Sequence, residues 1–185
     1  MTAAVLDACV LYAAPVRDLF LHLTVGFVLQ PKWTERIHTE WVESVLANRP
    51  DIPRAALERT RDLMNQWARD WRPPEHEALI PTLSLPDPDD RHVLAAAIAA
   101  GVSVIVTFNL ADFPVEALAA YGVRAQHPDE FACELLDEAP AAFLLAVRTH
   151  RAALQNPPKS VPEYLATLTA CGLRQTALRL AAFLT

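Results

Sequence analysis

The stretch Asp89-Asp90-Arg91-His92-Val93-Leu94-Ala95-Ala96-Ala97-Ile98-Ala99-Ala100-Gly101-Val102-Ser103-Val104-Ile105-Val106-Thr107 decides the fold. Its alanine-rich half is built from helix formers. Gly101 then offers the left-handed conformation that ends helices. Val102 to Thr107 is apolar and rich in β-branched residues, as a strand requires. The same order recurs downstream as a helix over Val115 to Tyr121, Gly122, and a short strand over Val123 to Gln126. Helix, left-handed glycine, strand is the joint of a parallel sheet. We read these as successive α/β units, not as a sequence repeat.

Upstream, Val5 to Leu11 is short and apolar but for Asp7, and it lacks period-two alternation. That predicts a buried strand in a sheet covered on both faces. Val16 to Val28 reads as a helix. Thr34 is placed to cap the next one, with Ile37, Trp41 and Val45 on a single face. Pro53 opens a helix to about Trp71, striped by Leu57, Met64, Trp67 and Trp71 and stopped by Pro73-Pro74. Pro128 to Asp137 reads as another helix. Beyond Pro140 the strands stop. Ala141 to Leu154, Ser160 or Val161 to Ala170, and Gly172 or Leu173 to Leu184 read as helices, with Asn156-Pro157-Pro158-Lys159-Ser160 as a break. The expectation is an α/β domain over residues 1–138 and a helical C-terminal extension over 139–185.

The bulk numbers narrow the function. A chain of 185 residues with 52% apolar content is long enough for a real core. A net charge of −6 argues against coating nucleic acid sequence-independently, which needs a broad basic face. It leaves room for an enzyme that grips nucleic acid through a local patch and a metal. Cys9, Cys133 and Cys171 are scattered, without C-x-x-C spacing, which fits reduced thiols in a cytoplasmic protein better than disulfides or zinc. Cys9, in an apolar run, reads as a buried inert thiol. No signal peptide and no membrane-length apolar run is visible. With four glycines there is neither G-x-G-x-x-G nor G-x-x-x-x-G-K, so a backbone cradle for nucleotide phosphates is not expected.

Four acidic positions stand where elements should end. They are Asp7, Glu40 in a Trp-flanked helix, the Asp87-Pro88-Asp89-Asp90 cluster, and Asp112 after the Val102–Thr107 strand. Each has a bland alternative. Asp7 would cap the following helix, Asp89 would cap the alanine-rich helix, Asp112 would start a turn before Phe113-Pro114, and Glu40 would be a solvated helix carboxylate. As a set they are costly beside apolar runs unless something positive neutralises them. No lysine lies in these segments, and only Arg36 and Arg91 bring positive charge nearby. Hard Mg²⁺ or Mn²⁺, which takes oxygen ligands, is the economical partner. Glu43 is the alternative to Glu40. Arg17, Lys32, Arg36 and Arg91 lie near the acids in sequence and are the candidates to meet substrate phosphates, although plain surface charge is the better reading of any one of them taken singly. His92 has no H-x-x-x-H partner and is expected to pack or hydrogen-bond.

The order Val5-Leu6-Asp7-Ala8-Cys9-Val10-Leu11, His38-Thr39-Glu40-Trp41, Asp87 to Ala97 and Thr107-Phe108-Asn109-Leu110-Ala111-Asp112-Phe113 resembles the PIN-domain family, especially the VapC-like toxin ribonucleases of toxin–antitoxin pairs. The resemblance covers about residues 1–130. The helical extension resembles the C-terminal piece of one subgroup. It implies a three-layer α/β/α fold with a central parallel sheet and a Mg²⁺- or Mn²⁺-dependent endoribonuclease. Asp7, Asp90 and Asp112 would hold the metal, with Glu40 acting through water. Thr107, Asn109, Asp87 and Asp89 would support them. The implied partners are RNA, a cognate antitoxin and a second copy in a homodimer. Asn109 departs from the Asp that many members carry there, which removes a charge. Crowding of the acids also predicts that Asp7→Asn abolishes cleavage while holding or raising metal-free stability.

Three rivals are set aside or kept. A haloacid-dehalogenase-type phosphatase needs Asp-x-Asp, and here the second position is Cys9. A receiver domain needs a late lysine, and after Lys32 the only lysine is Lys159. The alternative that stays open is a catalytically inactive PIN-like module that binds protein or RNA.

Overall fold

The structure is a computed structural model, which describes residues 1–184. Four short strands, β1 (Thr2–Leu6), β2 (Leu29–Lys32), β3 (Val104–Val106) and β4 (Arg124–Gln126), form one parallel sheet in the order β2-β1-β3-β4. Ala4, Val5 and Leu6 are all buried, as are Val104, Ile105 and Val106. Successive strand residues face opposite sides, so both faces of the sheet are covered and the α/β reading holds.

The apolar run after Asp7 is not strand. Asp7 has extended backbone, and its carboxylate accepts from the Ala8 amide, which starts helix α1 (Ala8–Tyr12). A continuous apolar run fits a buried helix as well as a strand, and here a capping aspartate decides it. Helix α2 (Ala14–Val25) follows. The proline-containing β2 has no counterpart in the sequence reading. Pro31 lacks an N–H and is tolerated because β2 is an edge strand.

Thr34 caps helix α3 (Glu35–Asn48) through the Ile37 amide, as its position predicts. Helix α4 (Arg54–Trp67) ends at Ala68, so Trp71 lies off its stripe. A single hydrogen-bond chain ties α3 to α4. Trp33 Nε1 donates to Asn65 Oδ1, His38 Nε2 meets the same oxygen at 2.9 Å, and Trp41 Nε1 donates to His38 Nδ1. Burial holds the His38 imidazole below its usual pKa, so it stays neutral in this network.

The alanine-rich helix α5 (Arg91–Ala100) starts after a 3-10 turn, Pro88–Asp90. Asp87, not Asp89, supplies the cap, because its carboxylate accepts from the Asp89 amide at 2.8 Å. Pro88, which has no N–H to satisfy, is the first residue of that turn. Gly101 and Gly122 have φ of +64° and +65°, the left-handed exits expected before β3 and β4. Between the latter two lies α6 (Val115–Leu118).

The C-terminal region is helical throughout: α7 (Pro128–Glu138), α8 (Pro140–Ala153), α9 (Val161–Ala170) and α10 (Arg174–Ala181). Helix α8 lies against α2, and α10 lies against both α9 and α7. Phe143, Val147, Tyr164, Leu168 and Leu180 from these helices, with Leu173 just before α10, share one buried cluster with the sheet residues. Among the described residues no helix is long and apolar enough to cross a membrane.

Candidate active site

Strand β1 leads to β2 on one side, and β3 returns on the other side of β1. The connection therefore reverses between β1 and β3, and in open parallel sheets a crevice forms there at the strands' carboxyl ends. Asp7 follows β1 and Thr107 follows β3, so both lie at that mouth.

Asp7 is 5% exposed and tightly held. One oxygen accepts from Ala8 N at 2.7 Å. The other accepts from Thr107 Oγ1 at 2.7 Å and from Cys9 Sγ at 3.1 Å. Asn109 enters only through its backbone, whose N–H donates to Thr107 Oγ1 at 3.0 Å. Cys9 is thus a donor beside the site. Burial, then the Asp7 charge, pushes its thiol up to about 12, so it stays protonated. An apolar-run cysteine two residues past the aspartate was the one available signal.

Asp90 is the most perturbed acid here. Burial raises its pKa to about 6, helped by the nearby charges of Asp7, Asp112 and Asp87, with His92 opposing. Asp112 closes the 3-10 turn Leu110–Asp112 after β3. Among the described residues Asp7, Asp90 and Asp112 make no ion pair with Lys, Arg or His. Nor do any three His, Cys, Asp or Glu side chains among them form a ready-made metal cage. The donors are all hard oxygen, which suits Mg²⁺ or Mn²⁺.

Glu40 reaches the rim from α3. Its Oε1 accepts from His92 Nε2 at 3.0 Å and from Arg36 Nε at 2.9 Å. Burial opposes its ionisation, but His92 and Arg36 outweigh burial and hold the carboxyl below its usual pKa. Arg36 also donates to the Asp89 carbonyl, which ties α3 to the Asp87–Asp90 turn. His92 is 1% exposed, and it is the orienting residue that its isolation in sequence hid. Glu43 instead makes a two-pronged pair with Arg54 on the exposed surface, so geometry favours Glu40.

The four basic candidates part company. Arg17 is buried, donates to the Leu11 carbonyl and lies 5.0 Å over the Trp41 ring, so it does not face a substrate. Lys32 is buried too, and its ammonium is held by Asp70. The long apolar stems of both make them core material. Arg36 is exposed at the rim, and Arg91, half-buried, donates to the Pro88 carbonyl. Asp87 and Asp89 are exposed.

The PIN domain family matches residues 3–111, and the VapC50 C-terminal domain family matches residues 128–182. The chain therefore belongs to the PIN-domain family. Over 61 residues it is 49% identical to a protein of Mycobacterium tuberculosis (strain ATCC 25618 / H37Rv) named "Putative ribonuclease VapC50", a stretch that covers 31% of this chain and 36% of that protein. The chain thus matches about a third of that relative's length. No solved structure matches it. The second family match begins with the first residue of α7, ahead of the expected boundary after residue 138.

Proposed function

We propose that the chain is a Mg²⁺- or Mn²⁺-dependent endoribonuclease that hydrolyses RNA phosphodiester bonds, and that it is the toxin of a toxin–antitoxin pair. One observation carries the nuclease reading. At the mouth between β1 and β3, Asp90 feels Asp7 and Asp112, and among the described residues none of the three makes an ion pair with a basic side chain. The C-terminal match and the relative's name, "Putative ribonuclease VapC50", support the ribonuclease reading, and the toxin role follows from the resemblance to VapC-like proteins. Exposed Val25, Phe27, Leu63 and Trp67 offer a protein partner, antitoxin or second copy, an apolar surface.

Asp7, Asp90 and Asp112 would hold the cation. When bound, such an ion supplies Lewis acidity and neutralises charge on a phosphodiester. The chain's own residues do the rest. Ala8, Thr107 and Cys9 donate to Asp7 and fix the direction of its remaining lone pairs. His92 and Arg36 both hold Glu40 Oε1, which leaves Oε2 to accept a hydrogen bond from an attacking water. A carboxyl held below its usual pKa suits that orienting role better than storing a proton. Asp90, at about 6, is the carboxyl that exchanges protons near neutrality. Arg36, at the rim, is the cation placed to meet a substrate phosphate.

Cleavage of a mixed RNA pool, with Mn²⁺, with EDTA, and by Asp90→Asn beside wild type, tests the reading. Metal-dependent cutting that the variant loses is expected. No cutting under any condition, with no stabilisation by Mn²⁺, would point to an inactive binding module instead.

A further inference from the structure

The turn between α9 and α10 holds Gly172 with φ of +91°. A β-carbon there would lie 2.8 Å from Cε1 of Phe108, 3.4 Å from its Cζ and 3.8 Å from its Cδ1. The backbone of the C-terminal turn therefore presses directly on the Phe108 ring, at a distance no side chain would allow. Phe108 sits between Thr107 and Asn109. Its amide donates to Cys9 Sγ at 3.3 Å, and Cys9 in turn donates to the Asp7 carboxylate.

The turn is anchored independently. The Asp129 carboxylate, buried on α7, accepts from Gln175 N at 2.7 Å, Thr176 N at 2.8 Å and Thr176 Oγ1 at 2.7 Å. These bonds fasten the start of α10 to α7. His127 caps α7 by accepting from the Asp129 amide, and its ring meets the edge of Phe108 at 5.0 Å between centroids. Phe108 is thus held between α7's cap, His127, one residue ahead of the C-terminal family match, and the α9–α10 turn within it.

We propose that the C-terminal helices position the acid site, with Gly172 and Phe108 as the contact through which they do so. Pressure on the ring sets the Thr107–Asn109 backbone, and that backbone sets the two donors that aim Asp7. Gly172 and Phe108 are positioning residues, since neither would touch substrate. The inference rests on the reading of Asp7 as an active-site carboxylate.

The test is Gly172→Ala beside Gly101→Ala and Gly122→Ala. All three substitutions strain a left-handed backbone, but at Gly101 and Gly122 an added β-carbon meets nothing within 4 Å. With Mn²⁺ and a fluorogenic single-stranded oligoribonucleotide of mixed sequence, Gly172→Ala should lower kcat at least about tenfold and leave KM within about twofold, because small misplacements of a reacting group cost rate steeply. In metal-free protein, amide exchange at Phe108 and Asn109 should quicken while the β1 amides of Val5 and Leu6 keep their rates. The two control variants should lower the melting temperature and move neither readout. Adding Phe108→Leu, which removes Cε1 and Cζ, should return Gly172→Ala to the kcat of Phe108→Leu alone. Equal kcat and exchange in Gly172→Ala and Gly101→Ala would overturn the inference, as would failure of Phe108→Leu to relieve the defect. If Gly172→Ala does not fold, Phe108→Leu alone decides: wild-type kcat together with wild-type exchange at Asn109 rejects the inference. A wild-type protein that cuts no RNA would sink the nuclease reading, while the exchange measurement would still decide whether the turn sets this backbone.

Discussion

Replacing Asp90 by asparagine should make the metal-free protein more stable at neutral pH, and the gain should vanish in acid. The folded chain holds the Asp90 carboxyl at about 6 against an ordinary value of 3.8. A raised acid pKa means that the folded state binds the proton more tightly than the unfolded state does. Ionised Asp90 therefore destabilises the fold above about pH 6, and the penalty is relieved as pH falls through 6 towards 3.8. Two pKa units correspond to about 3 kcal/mol at ~1.4 kcal/mol each. Asp90 is only half-buried, so screening by solvent reduces this to roughly 1–1.5 kcal/mol. For a chain of this size that is a rise of about 2–6 °C in melting temperature. Thermal unfolding by circular dichroism in EDTA at about pH 7.5 and about pH 4 reads it as the difference between variant and wild type. The difference matters because other groups titrate too: burial pushes His150 down to about 4, so its contribution is lost as pH falls from 6.5 towards 4, in both proteins alike. Mn²⁺ should then stabilise wild type more than the variant, since only the intact acid set favours the cation-bound fold. An Asp90→Asn protein that melts below wild type at pH 7.5, or with a difference independent of pH, would show that the acids do not crowd one another.

Asp7→Asn should also abolish cleavage, but with the opposite sign on stability. Asp7 accepts from Thr107 Oγ1 and Cys9 Sγ, and an amide N–H facing those donors costs about 1–2 kcal/mol, seen as a lower denaturation midpoint. Charge crowding alone predicted no loss there, and the hydrogen bonds reverse it. Asn65→Ala strips the oxygen shared by Trp33 and His38 and should cost about 1–3 kcal/mol, read by urea unfolding with activity per folded molecule unchanged. A chain ending at Ala139 exposes the side of α2 that α8 covers. It should lose cooperative unfolding and bind a hydrophobic dye, and a sharp native-like transition would count against a shared core. His150→Gln should flatten the loss of stability between about pH 6.5 and pH 4, checked by melting temperature across that range.

Most of the helices and both α/β joints were legible locally. Gly101 and Gly122 mark helix exits because few other residues take a positive φ. Thr34 caps α3 because its hydroxyl reaches an amide three residues on. Local chemistry of this kind needs no knowledge of distant residues. Edge strand β2 was missed because Gln30 and Pro31 carry no strand signal, and only pairing with β1 makes those four residues a strand. Arg17 and Lys32 were misplaced for the same reason: whether a long cation lies on the surface or is drawn inward depends on the acceptor it meets, and Leu11 and Asp70 are found by folding.

The sequence by itself determined a parallel α/β chain with Asp7, Asp90 and Asp112 at element ends, since spacing, caps and glycines act over a few residues, whereas Glu40, expected at an end, lies inside α3. Only the tertiary structure decided which charges act on Asp90, that Glu40 meets His92 while Glu43 pairs with Arg54, and that the C-terminal turn reaches Phe108. Those outcomes rest on contacts between segments up to about a hundred residues apart, such as Thr107 with Asp7, and through-space distances of that kind are set by packing of the whole core.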